Sequence, residues 1–313
     1  MKKIKVYLFV VEVLIVAAAF IYLGYIYRDS QAGRFLRLAW GRSPQCSLGK
    51  AWNAVGLHQT LWSRIYEIAD ECEVLQSDPA FELVKFGVHQ YWIPLRNRLA
   101  LAEMIAEQEA DVYGSDGRGV RGGEVVLDCG ANVGAYTRNA LDAGARLVVA
   151  IDPAPESIEC LRRNFSAEIK AGRVIVYPKG VWDKDEVIPI RTFDQQSGGD
   201  SVALNFPGSR EGPKVLLTTI DKLVEELLLE RVDFIKMDIE GSERKALVGA
   251  RNTVAQFKPR MAISMEHLPD DFEALNAVIA KLWPDLKTTC GPCHWVNTAL
   301  VNRIQPEVLY VGR

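Results

Sequence analysis

Short apolar runs rich in Val, Ile and Leu recur through the second half of the chain, separated by stretches with helical spacing. The runs predict strands at 124–128, 147–151, 173–177, 232–237, 260–265, about 286–290 and 307–312. Helices are predicted between them at 134–143, 155–166, 220–230, 242–256 and 270–283. Buried strands alternating with helices belong to a mostly parallel sheet covered on both faces, an α/β architecture. Residues 178–219 interrupt the alternation. Pro189, Gly198, Gly199, Pro207 and Gly212 punctuate β-like runs at 187–193, 201–206 and 214–218, which predicts a β-hairpin insertion beside the functional site.

The N-terminus follows another pattern. After Lys2, Lys3 and Lys5, residues 6–27 run VYLFVVEVLIVAAAFIYLGYIY. As a helix this stretch is about 33 Å long, enough to cross a bilayer core. Glu12 costs roughly 2.5–3.5 kcal/mol in lipid, which does not cancel the surrounding apolar gain. Residues 1–30 are therefore expected to form a single-pass transmembrane anchor, with a cleaved signal peptide as the rival. Arg28, Arg34, Arg37 and Arg42 on the far side oppose the lysines, so a cytoplasmic catalytic domain is expected by a narrow margin.

Residues 31–113 read as a helical linker or cover. Asn53 to Val74 places Leu57, Leu61, Ile65 and Ile68 at helical spacing; the nearby Trp40, Trp52 and Trp62 also suit a membrane surface. Five glycines within 114–123 end any helix before the first strand, so the main domain is expected to span 114–313.

Composition changes this picture little. At 313 residues, 49% apolar and 25% charged, the chain can hold one large α/β domain plus an extension. A net charge of −3 gives no case for nucleic-acid binding. The six cysteines form no evident disulfide framework. Cys290 and Cys293 lie in a C-x-x-C-H run after a late strand; a turn carrying two thiols is the expectation, with a redox or metal role as the alternative.

The candidate chemistry begins at VVLDCGANVG, residues 125–134. A strand ending in Asp128 meets a tight turn, Gly130, Ala131, Asn132, Val133 and Gly134, and then a helix start. Small residues let a ligand approach the backbone, and a helix start offers free N–H groups. No G-x-G-x-x-G is present. An acid before the glycines suits an ammonium and repels a pyrophosphate, which points to S-adenosylmethionine rather than NAD. Asp152 ends the next strand, 24 residues after Asp128, where a carboxylate can accept both ribose hydroxyls.

Further blocks agree. VDFIKMDIEGSE at 232–243, TTIDKL at 218–223, ISMEH at 263–267 and LAEMIAEQEADVY at 101–113 resemble the FkbM family of S-adenosylmethionine-dependent methyltransferases. The likeness covers roughly residues 80–313. Cys129 departs from it, since a small aliphatic residue is commoner there. The resemblance implies a Rossmann-like class I methyltransferase fold, with a seven-stranded sheet whose last strand is antiparallel.

Parallel sheets carry function at the carboxyl ends of their strands. That rule selects Asp128, Asp152, Gly180 to Asp183, Asp238 to Gly241, and Glu266 with His267. Asp238, Glu240 and His267 are the candidate catalytic groups, either as bases or as holders of a divalent cation. The expected cofactor contacts are Asp128, Gly130, Ala131, Asn132, Gly134, Asp152, Pro153, Gly180, Val181 and Asp238. The expected acceptor is a hydroxyl of a sugar, lipid or secondary metabolite. A non-catalytic membrane-anchored module that keeps the fold is the alternative, and an NAD(P)-dependent oxidoreductase is a weaker one.

Overall fold

The computed structural model describes residues 30–95, 97–192, 199–204, 208–298 and 300–312. Its centre is a seven-stranded sheet built from β4 (Val125–Cys129), β5 (Leu147–Ile151), β6 (Val174–Tyr177), β10 (Phe234–Met237), β11 (Arg260–Ser264), β12 (Lys287–Cys290) and β15 (Val308–Gly312). The strand order is β12-β15-β11-β10-β4-β5-β6. The pairs from β11 through β6 are parallel, and β15 runs antiparallel to both of its neighbours. The sheet is therefore mixed, with its one reversed strand where the family resemblance implied it.

β4 and β10 are buried from end to end, and β5 at every residue but its first, as continuous apolar runs require. Two cores result. One face packs Leu127, Val149, Ile235 and Met261 against Leu223, Leu247 and Leu275. The other packs Val126, Val148 and Phe234 against Leu141, Leu161 and Phe165.

The helices follow their capping signals. α4 (Ala135–Asp142) starts at Gly134, whose φ is +96°. α5 (Pro155–Asn164) has Pro155 in its first turn, where the missing N–H costs nothing. Short α6 (Ser166–Lys170) follows it. α7 (Ile220–Glu226) is capped by the Thr219 hydroxyl. The helix predicted over 242–256 is instead two, α8 (Glu243–Val248) and α9 (Arg251–Phe257). A Cβ on Gly249 would lie 2.0 Å from the Trp182 carbonyl oxygen, and Asp221 caps α9 by accepting from Asn252 N and Thr253 N. α10 (Asp271–Leu282) matches its expected range.

The predicted insertion is present as β8 (Glu186–Thr192) antiparallel to β9 (Arg210–Thr218), with the short β7 (Gly180–Val181) added on the other edge of β9.

Residues 31–113 hold more than the expected helical cover. α1 (Gln31–Ala39) and α2 (Leu48–Glu71) are followed by a three-stranded antiparallel meander, β1 (Glu73–Ser77), β2 (Phe81–Phe86) and β3 (His89–Pro94), and then by α3 (Arg98–Glu109). The meander escaped the sequence reading because β1 is exposed throughout and only part of β2 alternates. α2 buries Ala51, Ala54, Val55, Ile65 and Ile68, whereas Leu57 stays half-exposed, so the buried stripe differs from the predicted one. Asn164 ties the meander to the main domain: its amide donates to Trp92 O and Val133 O, and its Oδ1 accepts from Trp92 N.

The hairpin of β13 (Cys293–Asn297) and β14 (Asn302–Pro306) packs against α2. A disulfide joins Cys46 to Cys293 across 247 positions. This corrects the expectation of a turn with two thiols: Cys293 is bonded and Cys290 is free.

Among the described residues no helix is long and apolar enough to cross a membrane. The single-pass membrane localisation expected from sequence therefore finds no support among the described residues. The expected transmembrane helix at residues 6–27 lies outside the described residues.

Candidate active site

The carboxyl ends of β4, β5 and β10 open onto one cavity of about 510 Å³. Its floor is the turn after β4. Gly130 has φ +82°, and a Cβ there would lie 1.8 Å from the Asp238 carbonyl oxygen, so only glycine fits. Asn132 also adopts a left-handed backbone, φ +48°, which Asn tolerates better than most residues. Its N–H donates to Asp152 Oδ2 at 2.9 Å, while Ala154 N donates to Asp152 Oδ1 at 2.9 Å. Burial lifts the Asp152 pKa to about 6, and these two backbone N–H groups hold it from rising further.

Of the expected cofactor contacts, Gly130, Ala131, Asn132, Asp152, Pro153, Gly180, Val181 and Asp238 line the cavity. Asp128 and Gly134 do not. Asp128 is fully buried beneath the turn, where its Oδ2 accepts from the Thr137 hydroxyl at 2.6 Å and its Oδ1 lies 3.6 Å from Lys236 Nζ. A Cβ on Gly134 would meet the Phe165 ring at 2.2 Å, so this glycine serves helix packing. Both residues shape the turn from behind.

Sequence reasoning placed Lys236 on the Asp238 face of its strand but gave it no role in the site. Its ammonium is 4% exposed, donates to Gly130 O at 3.0 Å, and lies 3.6 Å and 3.8 Å from Asp128 and Asp238. The available signal was its spacing of two from Asp238, which puts both side chains on one strand face. Tyr113 was missed. Its hydroxyl donates to Asp238 Oδ2 at 2.8 Å from a segment 125 positions away.

The expected catalytic groups do meet. His267 Nε2 lies 3.5 Å from both Asp238 Oδ1 and Glu240 Oε2, and its Nδ1 lies 3.3 Å from Glu243 Oε1. Glu240 reaches the site because its backbone is left-handed, φ +52°, a strained position for a non-glycine residue. Burial opposes charge on His267, but Glu240 and Glu243 outweigh it and raise its pKa well above the usual value. Burial raises the Glu240 pKa, only partly offset by His267. Asp238 is also penalised by burial, yet Lys236 and His267 bring its pKa below the usual value. Glu107, Glu266 and Glu307 line the same cavity, making it acidic. Sequence reasoning had singled out Glu266 but not Glu107 or Glu307. Across the mouth, Trp62 of α2 and Trp295 of β13 form a further wall.

The Methyltransferase FkbM domain model matches residues 128–288, just over half of the 313-residue chain. The chain therefore belongs to the FkbM methyltransferase family. Among solved structures it is similar to methyltransferase FkbM from Methylobacillus flagellatus KT, with TM-score 0.49 and 20% identity over 80% of this chain and 59% of that one. It is also similar to Methanocaldococcus jannaschii Trm5 in complex with adenosine, with TM-score 0.42 and 13% identity over 77% and 57% of the two chains. M. jannaschii TYW2 in complex with AdoMet gives TM-score 0.39 and 14% identity over 76% and 86%. The chain thus spans less than two thirds of the M. flagellatus protein's length. None of the proteins with curated functions matches it.

Proposed function

We propose that this methyltransferase uses S-adenosylmethionine to methylate a hydroxyl of a sugar, lipid or secondary metabolite. One observation carries the proposal: the turn after β4 with Asp152 and the Asp238–Glu240–His267 cluster line a single cavity. The first half suits the cofactor and the second suits proton removal from the acceptor. The cofactor supplies the electrophilic methyl group; the chain must orient a nucleophile against it and take a proton.

In this reading Asp152 accepts the ribose hydroxyls, and Gly130, Ala131 and Asn132 offer a close-fitting backbone. Pro153, Gly180 and Val181 border the base. Lys236 offers a cation to the methionyl carboxylate, the role expected for no residue in the sequence. Asp128 acts indirectly, by holding Lys236. Glu240, with its raised pKa, is the proton acceptor. His267 is held protonated by its carboxylate neighbours and so orients Glu240 and Asp238 rather than acting as the base. Residues 114–313 form the catalytic unit, and residues 31–113 cover it. The acidic lining disfavours nucleic acid as acceptor.

Calorimetry on the full chain tests the cofactor: S-adenosylhomocysteine should bind and NAD should not, and the reverse result would overturn the proposal. Glu240→Gln preserves size and removes charge. It should lower turnover about 10²–10⁴-fold while leaving cofactor affinity nearly unchanged.

A further inference from the structure

Asp238, Glu240 and His267 each bring one donor atom to the same side of the cavity, at ion-pair distance but longer than well-formed hydrogen bonds. His267 Nε2 is 3.5 Å from Asp238 Oδ1 and 3.5 Å from Glu240 Oε2. One donor atom from each residue lies within 4.8 Å of the other two. A hydrogen bond would close such gaps to about 2.7–3.2 Å. Metal–ligand bonds of about 2.1 Å meeting at 90–109° leave donor atoms roughly 3.0–3.5 Å apart. The two His267 edges fit that polyhedron.

We propose that Asp238 Oδ1, Glu240 Oε2 and His267 Nε2 bind one divalent cation of the Mn²⁺ type on the acceptor side of the cavity. This rests on the reading of the cavity as a methyl-transfer site; the protonated His267 and proton-accepting Glu240 described above belong to the metal-free site, and cation binding displaces the His267 Nε2 proton and makes Glu240 a ligand. The His267 side chain gives the independent support. It is buried, it lines the cavity, and its Nδ1 has no completed hydrogen bond. That Nδ1 points at Glu243 Oε1, 3.3 Å away, itself fixed by accepting from Ile239 N at 2.9 Å. A carboxylate behind the imidazole is the usual outer partner of a metal-bound histidine, because it sets the tautomer and frees the other nitrogen for the metal. Asp238 has the same preparation: Tyr113 donates to Oδ2 and leaves Oδ1 facing His267. The Glu240 backbone is anchored as well, since Ser201 Oγ donates to its carbonyl at 2.7 Å.

The donor set narrows the metal. Two carboxylates suit Mg²⁺ or Mn²⁺, and an imidazole shifts preference from Mg²⁺ toward Mn²⁺. Three protein ligands leave open positions. An acceptor hydroxyl entering one of them would be polarised and lose its proton more readily, with the proton passing to solvent or a neighbouring carboxylate. Glu307, which lines the same cavity, adds a carboxylate that favours a cation.

The test is Mn²⁺ binding to chelator-stripped full-length protein, followed by electron paramagnetic resonance and calorimetry. One equivalent should bind, with more than tenfold loss of affinity in Glu240→Gln and in His267→Ala, each checked for folding by circular dichroism. Water-proton relaxation should report exchangeable water on the bound ion. Absence of a stoichiometric site, or affinity unchanged in folded Glu240→Gln, overturns the proposal. S-adenosylhomocysteine binding by the stripped protein is measured in parallel. If it persists without Mn²⁺ binding, the cation fails and the methyl-transfer reading survives; loss of both overturns both.

Discussion

Tyr113 donates its hydroxyl to Asp238 Oδ2 at 2.8 Å, joining the segment before the sheet to the carboxyl end of β10. Burial raises the Tyr113 pKa well above its usual value, with the Asp238 charge adding to the shift, so the phenol stays a donor at any working pH. The bond leaves only one Asp238 oxygen facing His267.

Tyr113→Phe should cost about 1.5–3 kcal/mol of stability, the scale of a lost hydrogen bond to a charged group. Turnover should fall further than the stability loss explains, because Asp238 loses its fixed orientation. Urea denaturation alongside kinetics separates the two effects. Wild-type kinetics in a folded Tyr113→Phe protein would remove Tyr113 from the site.

Cofactor affinity should strengthen as pH rises from about 5 to 7. The folded Asp152 pKa is raised from 3.8 to about 6, so the protonated form dominates below that value and the ribose acceptor appears above it. The same shift makes folding less favourable as pH rises through about 6, since the folded state holds the proton more tightly than the unfolded chain. Calorimetry with S-adenosylhomocysteine across this window checks it. In Asp152→Asn the slope should vanish. Asp152→Ala should weaken binding by about 1.5–3 kcal/mol.

Gly130→Ala should abolish cofactor binding and lower the melting temperature. A left-handed φ costs a non-glycine residue roughly 1–2 kcal/mol, and the 1.8 Å approach of the Asp238 carbonyl adds a clash that only backbone movement relieves. Since the turn and β10 would have to separate, a thermal shift assay with and without S-adenosylhomocysteine reads both losses.

Reduction of the Cys46–Cys293 bond should destabilise the chain by about 2–5 kcal/mol. The effect should concentrate where α2 meets the β13–β14 hairpin, because Ala51, Val55 and Ile304 pack around the disulfide. Hydrogen exchange in oxidised and reduced protein, and in Cys46→Ser, would show it. Uniform exchange across the molecule would mean that the bridge is not a local clamp.

The central sheet was legible because its strands are short, apolar and buried on both faces, a signal that survives without knowing the partners. All seven predicted strand ranges correspond to strands of that sheet. The turn at Gly130 and the acid at Asp152 were legible for a similar reason: each belongs to a local strand–turn–helix pattern. Asp238, Glu240 and His267 could be proposed because function gathers at strand ends.

Long-range pairing was not legible. Nothing local tells Cys46 that its partner is Cys293, or Tyr113 that its acceptor is Asp238. Asp128 illustrates the limit most clearly. Its position before the glycine turn predicted contact with the cofactor, but a turn built around Gly130 closes over it, and Lys236 from a strand more than a hundred positions away occupies the space beside it. The β1–β3 meander was hidden because β1 is exposed throughout and only part of β2 alternates; the strands are defined by hydrogen bonds to one another. Local sequence periodicity determined which segments are strands and helices. Tertiary packing decided which charged side chains reach the cavity, because burial and pairing depend on neighbours that only the folded chain brings together.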